Sequence, residues 1–281
     1  MTTDGALRAR KTWRTMEPLH GMIYFVPEAA DAYDRLGITG GDGYFASRAA
    51  PMGAVSAHVV VSTFFNFNPR LVHSAIPQAW TITTPEALVA ARFEAVDGAM
   101  RRLLGDDAVE STEMHRAAVL ARRAAEDAST RVEGRSLAAG HAGVGWPDLP
   151  HLVLWHAQSI LREYRGDGHV ALLVSHDLSG IQALVTHGAI GEVPAQVLRS
   201  TRGWTTEQWD NAADSLRSRG WLVDGHELAL TEWGRAQRQE IEDQTDALAA
   251  APYRALGDDA CDELRTLVRP WSKRFAEVLF R

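Results

Sequence analysis

The sequence predicts a mainly α-helical fold in which one unit is written twice. Three observations carry that expectation. Most of the chain reads as helix, a set of short motifs recurs in the same order, and a single stretch near residue 225 reads as a tight hairpin.

The repeated words are specific. Gly41-Asp42-Gly43-Tyr44-Phe45-Ala46 recurs as Gly166-Asp167-Gly168-His169-Val170-Ala171. Met52-Gly53 and an apolar run to Trp80 parallel Leu178-Ser179-Gly180 and an apolar run to Trp204, with Pro69 and Pro194 at comparable places. Thr83-Thr84-Pro85-Glu86 follows the first tryptophan, and Thr205-Thr206-Glu207 follows the second. Thr112-Glu113 with Arg116-Ala117 matches Thr231-Glu232 with Arg235-Ala236, and Glu17-Pro18-Leu19-His20 matches Asp148-Leu149-Pro150-His151. Common order and similar spacing favour tandem duplication over chance resemblance between Ala- and Gly-rich segments. The expected division is an N-terminal unit over 1–140 and a C-terminal unit over 141–281.

The C-terminal half supplies the elements. A helix is expected over 152–165, ending at Gly166. A second over 179–188 is capped by Asp177 or Ser179. Pro194 opens a third, to Thr201. Thr205 or Thr206 caps a fourth, to Arg219, and Gly220 stops it. Residues 221–230 read as a hairpin around Asp224-Gly225. Thr231 then caps a long helix to about 250, Pro252 breaks it, and a last helix covers about 258–280.

Composition narrows the classes. The 281 residues carry a net charge of −7, with 46% hydrophobic and 23% charged residues, which excludes disordered and fibrous chains. The apolar run over 55–67 is interrupted by His58, Ser62, Thr63 and Asn66 and is too short to span a bilayer, so no membrane partner is expected. Arg8, Arg10, Lys11 and Arg14 are followed by no apolar stretch, so no signal peptide is expected and the chain reads as cytoplasmic. Cys261 alone cannot build a disulfide framework or a cysteine-based zinc site.

Three helices, a two-stranded wing and a long helix are winged helix-turn-helix order. The fold class is therefore tandem winged helix-turn-helix units, degenerate in the first copy, with a small β wing in the second. Leu216-Arg217-Ser218-Arg219-Gly220-Trp221-Leu222, the wing, and Leu230-Thr231-Glu232-Trp233-Gly234-Arg235 resemble the recognition-helix end, wing and following helix of MarR-type regulators. That resemblance covers about 152–248. Glu17-Pro18-Leu19-His20, Tyr44-Phe45-Ala46-Ser47-Arg48-Ala49-Ala50, Phe65-Asn66-Phe67-Asn68-Pro69 and Arg165-Gly166-Asp167-Gly168-His169 are similar to stretches of a bacterial family with a MarR-like helix-turn-helix region. The MarR resemblance implies a dimerisation-type terminal helix and a ligand pocket between the dimerisation helices and the DNA-binding lobe. The duplication adds that a monomer would be a pseudo-dimer, with a homodimer as the alternative.

DNA binding is possible but disfavoured. The recognition helix should offer basic or polar groups to the groove, and the wing arginines to phosphates. Here the helix carries Glu207, Asp210 and Asp214, with Arg217 and Arg219 only near its end, and the wing carries Asp224 and Glu227 without Lys or Arg. The corresponding first-half helix holds Glu86, Arg92, Glu94 and Asp97.

The remaining polar residues suggest a small-molecule ligand in the cleft between the two halves. Gly-Asp-Gly lacks the full phosphate-loop and dinucleotide patterns and reads as a turn, with Asp42 or Asp167 bonding backbone N–H groups. Tyr44 and His169 follow the two turns at duplicated positions. Arg48 and Asn66 lie in apolar surroundings where a polar group needs a partner. Trp146, Trp155, Tyr164, Trp204 and Trp209 suit a core or a pocket wall. The candidate ligand contacts are Tyr44, Arg48, Asn66, Trp155, His156 and His169. An enzyme, acting on a small aromatic or apolar metabolite, would draw on His20, Tyr44, Arg48 and His169 for acid–base or anion-holding roles. Six histidines, His141, His151, His156, His169, His176 and His187, crowd one region without His-x-x-x-His or His-x-His spacing. One metal arrangement is conceivable: Glu17 and His20 facing Asp148 and His151, if each pair sits at a helix start. No metal and no other cofactor is favoured.

Overall fold

The computed structural model describes residues 4–225 and 227–279, leaving the side chains of Val278 and Leu279 undescribed. In chain order the helices begin with α1 (Asp4–Gly21), α2 (Pro27–Arg35), α3 (Asp42–Ala49), α4 (Ala57–Phe64), α5 (Pro69–Ala75) and α6 (Ala79–Ile82). Next come α7 (Pro85–Leu104), α8 (Asp106–Val109), α9 (Thr112–Ser129), α10 (Ser136–Ala142) and α11 (Pro150–Ser175). The series ends with α12 (Gly180–Gly188), α13 (Ala195–Thr201), α14 (Thr206–Ser218), α15 (Glu232–Leu248), α16 (Ala250–Leu256) and α17 (Asp258–Leu279). The fold is mainly helical, and no strand occurs among the described residues. None of these helices is long and apolar enough to cross a membrane.

Two compact units emerge. Unit 1 draws on residues 1–55, 75–168 and 246–281; unit 2 draws on 56–74 and 169–245. These units do not follow the 140/141 division expected from the repeat. Each takes chain from both halves, because α4 and α5 join unit 2 and the last two helices join unit 1.

Within unit 1, α1 packs along α17 and α2 along α7, while α9 lies against α16 and α17. The buried face of α9 is almost all alanine (Ala117, Ala118, Ala121, Ala124, Ala125 and Ala128), which lets the helices approach closely. α11 has buried residues throughout 151–161, on every side of the helix, so it runs through the interior rather than along a surface.

Gly166-Asp167-Gly168 does not end that helix. It lies inside α11, and only Gly41-Asp42-Gly43 opens one, at α3. A partner explains the difference. Asp167 Oδ2 accepts from the backbone N–H groups of Leu137 at 3.0 Å and Ala138 at 2.9 Å, so its carboxylate caps the start of α10. A Cβ at Gly168 would stand 2.6 Å from Arg135 Nη1, so the glycine makes room for that guanidinium, which bonds the Tyr164 carbonyl. Burial raises the Asp167 carboxyl to about 6, against the lowering effect of the N–H groups.

Unit 2 has its own core of Leu184, Val185, Leu198, Trp209, Leu216, Trp221, Leu222, Leu230 and Ile241. Its caps follow sequence logic. Ser179 with Gln182 and Thr205 with Gln208 form reciprocal capping boxes on α12 and α14. Thr231 Oγ1 accepts from Gly234 N at 2.9 Å at the start of α15. The β wing expected over 223–230 is reduced to one antiparallel bridge, Leu222 to Leu230, with Val223 N–H bonding the Ala229 carbonyl at 3.0 Å. Burial of Trp221, Leu222 and Leu230 holds this stub, while the flanking residues turn away at Asp224-Gly225, where φ of Gly225 is 95°. His226, within the predicted wing, and Phe280, within the predicted last helix, lie outside the described residues. The long helix stops at Leu248, ahead of the break predicted at Pro252, and Pro252 sits in the first turn of α16, where its missing N–H costs nothing.

Candidate functional site

The polar interior of unit 1 is built on α11. Trp155, Ser159 and Glu163 follow at four-residue steps and share a face. The Ser159 hydroxyl donates to the Trp155 carbonyl at 3.0 Å. With that proton committed, His20 Nδ1–H donates to Ser159 Oγ at 3.0 Å, and His20 Nε2 accepts from the Tyr24 hydroxyl at 3.1 Å. Burial, aided by Arg162, holds the His20 imidazole well below its usual range, so it is neutral at pH 7. Tyr24 lies in the short 3-10 turn Met22–Tyr24, and its ring centroid stands 5.0 Å from that of Tyr44.

Tyr44 links this chain to an ion-pair group. Arg48 Nη1 donates to the Tyr44 hydroxyl at 3.1 Å, and the same guanidinium grips Glu163 through Nε and Nη2. Arg162 Nη1 donates to Glu163 Oε1 at 2.8 Å. Burial disfavours the charged carboxylate, yet Arg162 and Arg48 outweigh it and hold Glu163 well below the ordinary range.

Beside this satisfied network lie buried polar atoms without protein partners: Arg92 Nη2, His141 Nε2, Trp155 Nε1, His156 Nε2 and both amide atoms of Gln158. The Arg92 guanidinium carbon stands 5.2 Å from the Trp155 ring centroid. His156 packs against Phe93 at 5.6 Å, Trp146 at 4.9 Å and His141 at 6.4 Å between centroids. Burial lowers His156 to about 4, partly offset by a hydrogen bond with the Val144 backbone, and holds His141 well below its usual range. Both are neutral at pH 7. Buried polar groups without partners cost about 1–3 kcal/mol each.

Of the residues singled out in the sequence, His20, Tyr44, Arg48, Trp155 and His156 lie in this interior. Asn66 and His169 belong to unit 2. His169 Nδ1 is 2.9 Å from Thr245 Oγ1. The buried polar role expected of Asn66 falls to Asn68, whose Nδ2 donates to the Gly203 carbonyl at 3.0 Å and to Gln208 Oε1 at 3.2 Å; Asn66 offers its carbonyl to Trp204 Nε1. Tyr24, Ser159, Glu163, Arg92 and His141 were not singled out as candidates, although Arg162-Glu163 inside an apolar helix is a visible signal. Arg92, in the first-half counterpart of the recognition helix, is buried.

The metal arrangement is not assembled. Glu17 and His20 lie in the last turns of α1, not at a helix start, and Glu17 accepts from Trp13 Nε1 at 3.0 Å. His151 Nε2 is 2.7 Å from Asp97 Oδ1, and Asp148 is exposed. Among the described residues no group of three His, Cys, Asp or Glu side chains is placed to hold a metal ion.

Unit 2 presents helices α12, α13 and α14 in helix-turn-helix order, with Gln182 Nε2 donating to Ser215 Oγ at 3.1 Å between α12 and α14. Glu207, Asp210 and Asp214 are exposed on α14, as are Asp224 and Glu227 beyond it. The arginines beside α14 are engaged: Arg199 with the Thr206 hydroxyl at 2.7 Å, Arg217 with Asp214 at 2.7 Å, and Arg219 with the carbonyls of Asp177 and His176. The exposed face of α14 therefore presents carboxylates.

No curated protein and no solved structure matches the chain. A family model described as a helix-turn-helix family matches residues 9–280, nearly the whole length, and with a capped three-helix segment already in view the protein belongs to that helix-turn-helix family.

Proposed function

We propose that this protein binds a small molecule in the interior of unit 1 and uses a MarR-like helix-turn-helix scaffold whose DNA binding is weakened or lost. The observation that carries the reading is the concentration of partnerless buried polar atoms around Trp155 and His156, where Arg92 lies over the Trp155 ring and His156 packs against Phe93, Trp146 and His141. The acidic surface of α14 supports the second half of the reading, because carboxylates near phosphates repel and release no counterions. The repeated words support descent by duplication of a winged unit, although the two Gly-Asp-Gly copies occupy different structural settings.

A ligand-responsive regulator that still binds DNA is the second reading, favoured by the intact capping boxes of α12 and α14. Electrophoretic mobility with DNA from the gene's own locus at low salt separates the two. Weak, sequence-independent retardation is expected. Tight, salt-sensitive, sequence-dependent retardation would overturn the loss of DNA binding. A thermal-shift screen with small aromatic and apolar compounds tests the ligand half; the absence of any stabilising compound would overturn it.

A further inference from the structure

We infer that Arg92 anchors a binding site for a singly charged organic anion, a carboxylate with an apolar or aromatic body. The inference rests on the ligand-binding reading above and names the ligand's class. Arg92 is only 2% exposed. The other two buried arginines among the described residues each face a carboxylate: Arg48 meets Glu163 at 3.0 Å, and Arg165 meets Asp246 at 2.7 Å. Arg162, partly buried, has Glu17 and Glu163. Arg92 has none. Its one hydrogen bond is from Nη1 to the Ser47 carbonyl at 2.8 Å, and Nη2 donates to nothing in the protein.

An isolated buried charge is expensive, and the usual remedy is a counter-ion. Guanidinium cannot shed its proton, so the remedy for Arg92 is an anion. One uncompensated charge fits one negative charge. The neighbouring imidazoles of His141 and His156 are neutral and add no positive charge that a phosphate dianion would need. The hydrogen-bonding inventory agrees. Arg92 Nη2 and Trp155 Nε1 are donors without acceptors, suited to the oxygens of a carboxylate, and the half-buried rings of Phe93 and Trp146 offer apolar contact. Phe93 and Trp146 are half-buried, so they line the side nearest solvent. Gln158 is not part of the site; it lies about 200° round α11 from His156.

Titration calorimetry of the intact protein with sodium benzoate, benzamide and inorganic phosphate at matched ionic strength tests the assignment. Benzoate should bind at least about thirtyfold more tightly than benzamide, since removing the partner of a buried charge costs about 2 kcal/mol or more. Arg92→Gln should abolish that preference while leaving the far-UV spectrum unchanged. The wild-type comparison stands without the variant if the variant does not fold. Equal binding of benzoate and benzamide overturns the anion anchor and leaves a ligand site of another class. Phosphate binding as tightly as benzoate overturns the single charge. Binding of none of the three overturns the anchor, and it overturns the ligand-binding reading as well if the thermal-shift screen also finds no stabilising compound.

Discussion

Arg48 holds Glu163 at two points, Nε to Oε1 at 3.2 Å and Nη2 to Oε2 at 3.0 Å, with the carboxylate side chain 1% exposed. The pair is a buried charge balance, and breaking one side leaves the other unpaired. Glu163→Gln is expected to destabilise the protein by about 3–5 kcal/mol in urea unfolding followed by tryptophan fluorescence. Replacing both partners with apolar residues, Glu163→Leu with Arg48→Met, should cost less than the single change. A single-site loss under about 1 kcal/mol would show that the carboxylate is not the keystone of this network.

His20, His141 and His156 give the fold a definite acid sensitivity. In the unfolded chain their imidazoles take up protons below about 6.5. In the fold, burial keeps all three neutral to lower pH, down to about 4 for His156. The unfolded state thus binds more protons in that window, and stability falls as pH drops through it. The expected observation is a lower unfolding free energy at pH 4.5 than at pH 7, with His141→Gln flattening the slope. An unchanged slope in that variant would remove His141 from the account.

Asp167 acts with the opposite sign. Its folded carboxyl titrates at about 6, above the unfolded value of about 3.9, so the folded state binds the extra proton between the two. This group contributes stability at low pH and loses it as pH rises toward 6. Because one oxygen accepts both N–H groups of α10, the amide of Asp167→Asn can keep both bonds. Relative to wild type, the variant should gain on the order of 2 kcal/mol between pH 4 and pH 7.5. A parallel pH dependence of the two proteins would contradict the raised carboxyl.

The sequence showed the helices of unit 2 because their signals are local. Ser179 with Gln182 and Thr205 with Gln208 are written within four residues, and each cap appears where its spelling predicts. The interior of unit 1 is not local. His20, Arg48, Arg92, His141 and Glu163 come from five helices and meet only after packing. Arg92 stands among Glu86, Glu94 and Asp97 in the helix that corresponds to the recognition helix, yet packing of α7 along α2 and α3 turns its face inward. Gly166-Asp167-Gly168 carries turn spelling, but the acceptor needed at the start of α10 keeps it helical. In the wing, short spacing allows a hairpin, and only the pairing around Leu222 and Leu230 forms.

The carboxylates of α14 make a direct statement about DNA. Glu207, Asp210 and Asp214 are exposed, and Asp214 additionally occupies Arg217. Changing the three to arginine should raise affinity for duplex DNA at low salt by at least about tenfold and steepen the salt dependence, as measured by fluorescence anisotropy. Unaltered affinity would mean that this face does not approach the duplex.

Gly180 opens α12 where unit 2 brings a distant segment against it. A Cβ there would lie 1.9 Å from the Phe65 carbonyl oxygen, a backbone atom in a residue already held at φ 36°. Neither side can yield cheaply: the oxygen belongs to main chain, and Phe65 is already outside the comfortable region for an L residue. Gly180→Ala is therefore expected to cost about 3 kcal/mol. Gly145→Ala is the control, since a Cβ there meets nothing within 4 Å and the backbone is unstrained, and it should change stability by less than about 0.5 kcal/mol. Urea unfolding of both variants decides the point. Equal stabilities would mean that the segment at 56–74 is not fixed against α12, and that unit 2 does not need its close backbone approach.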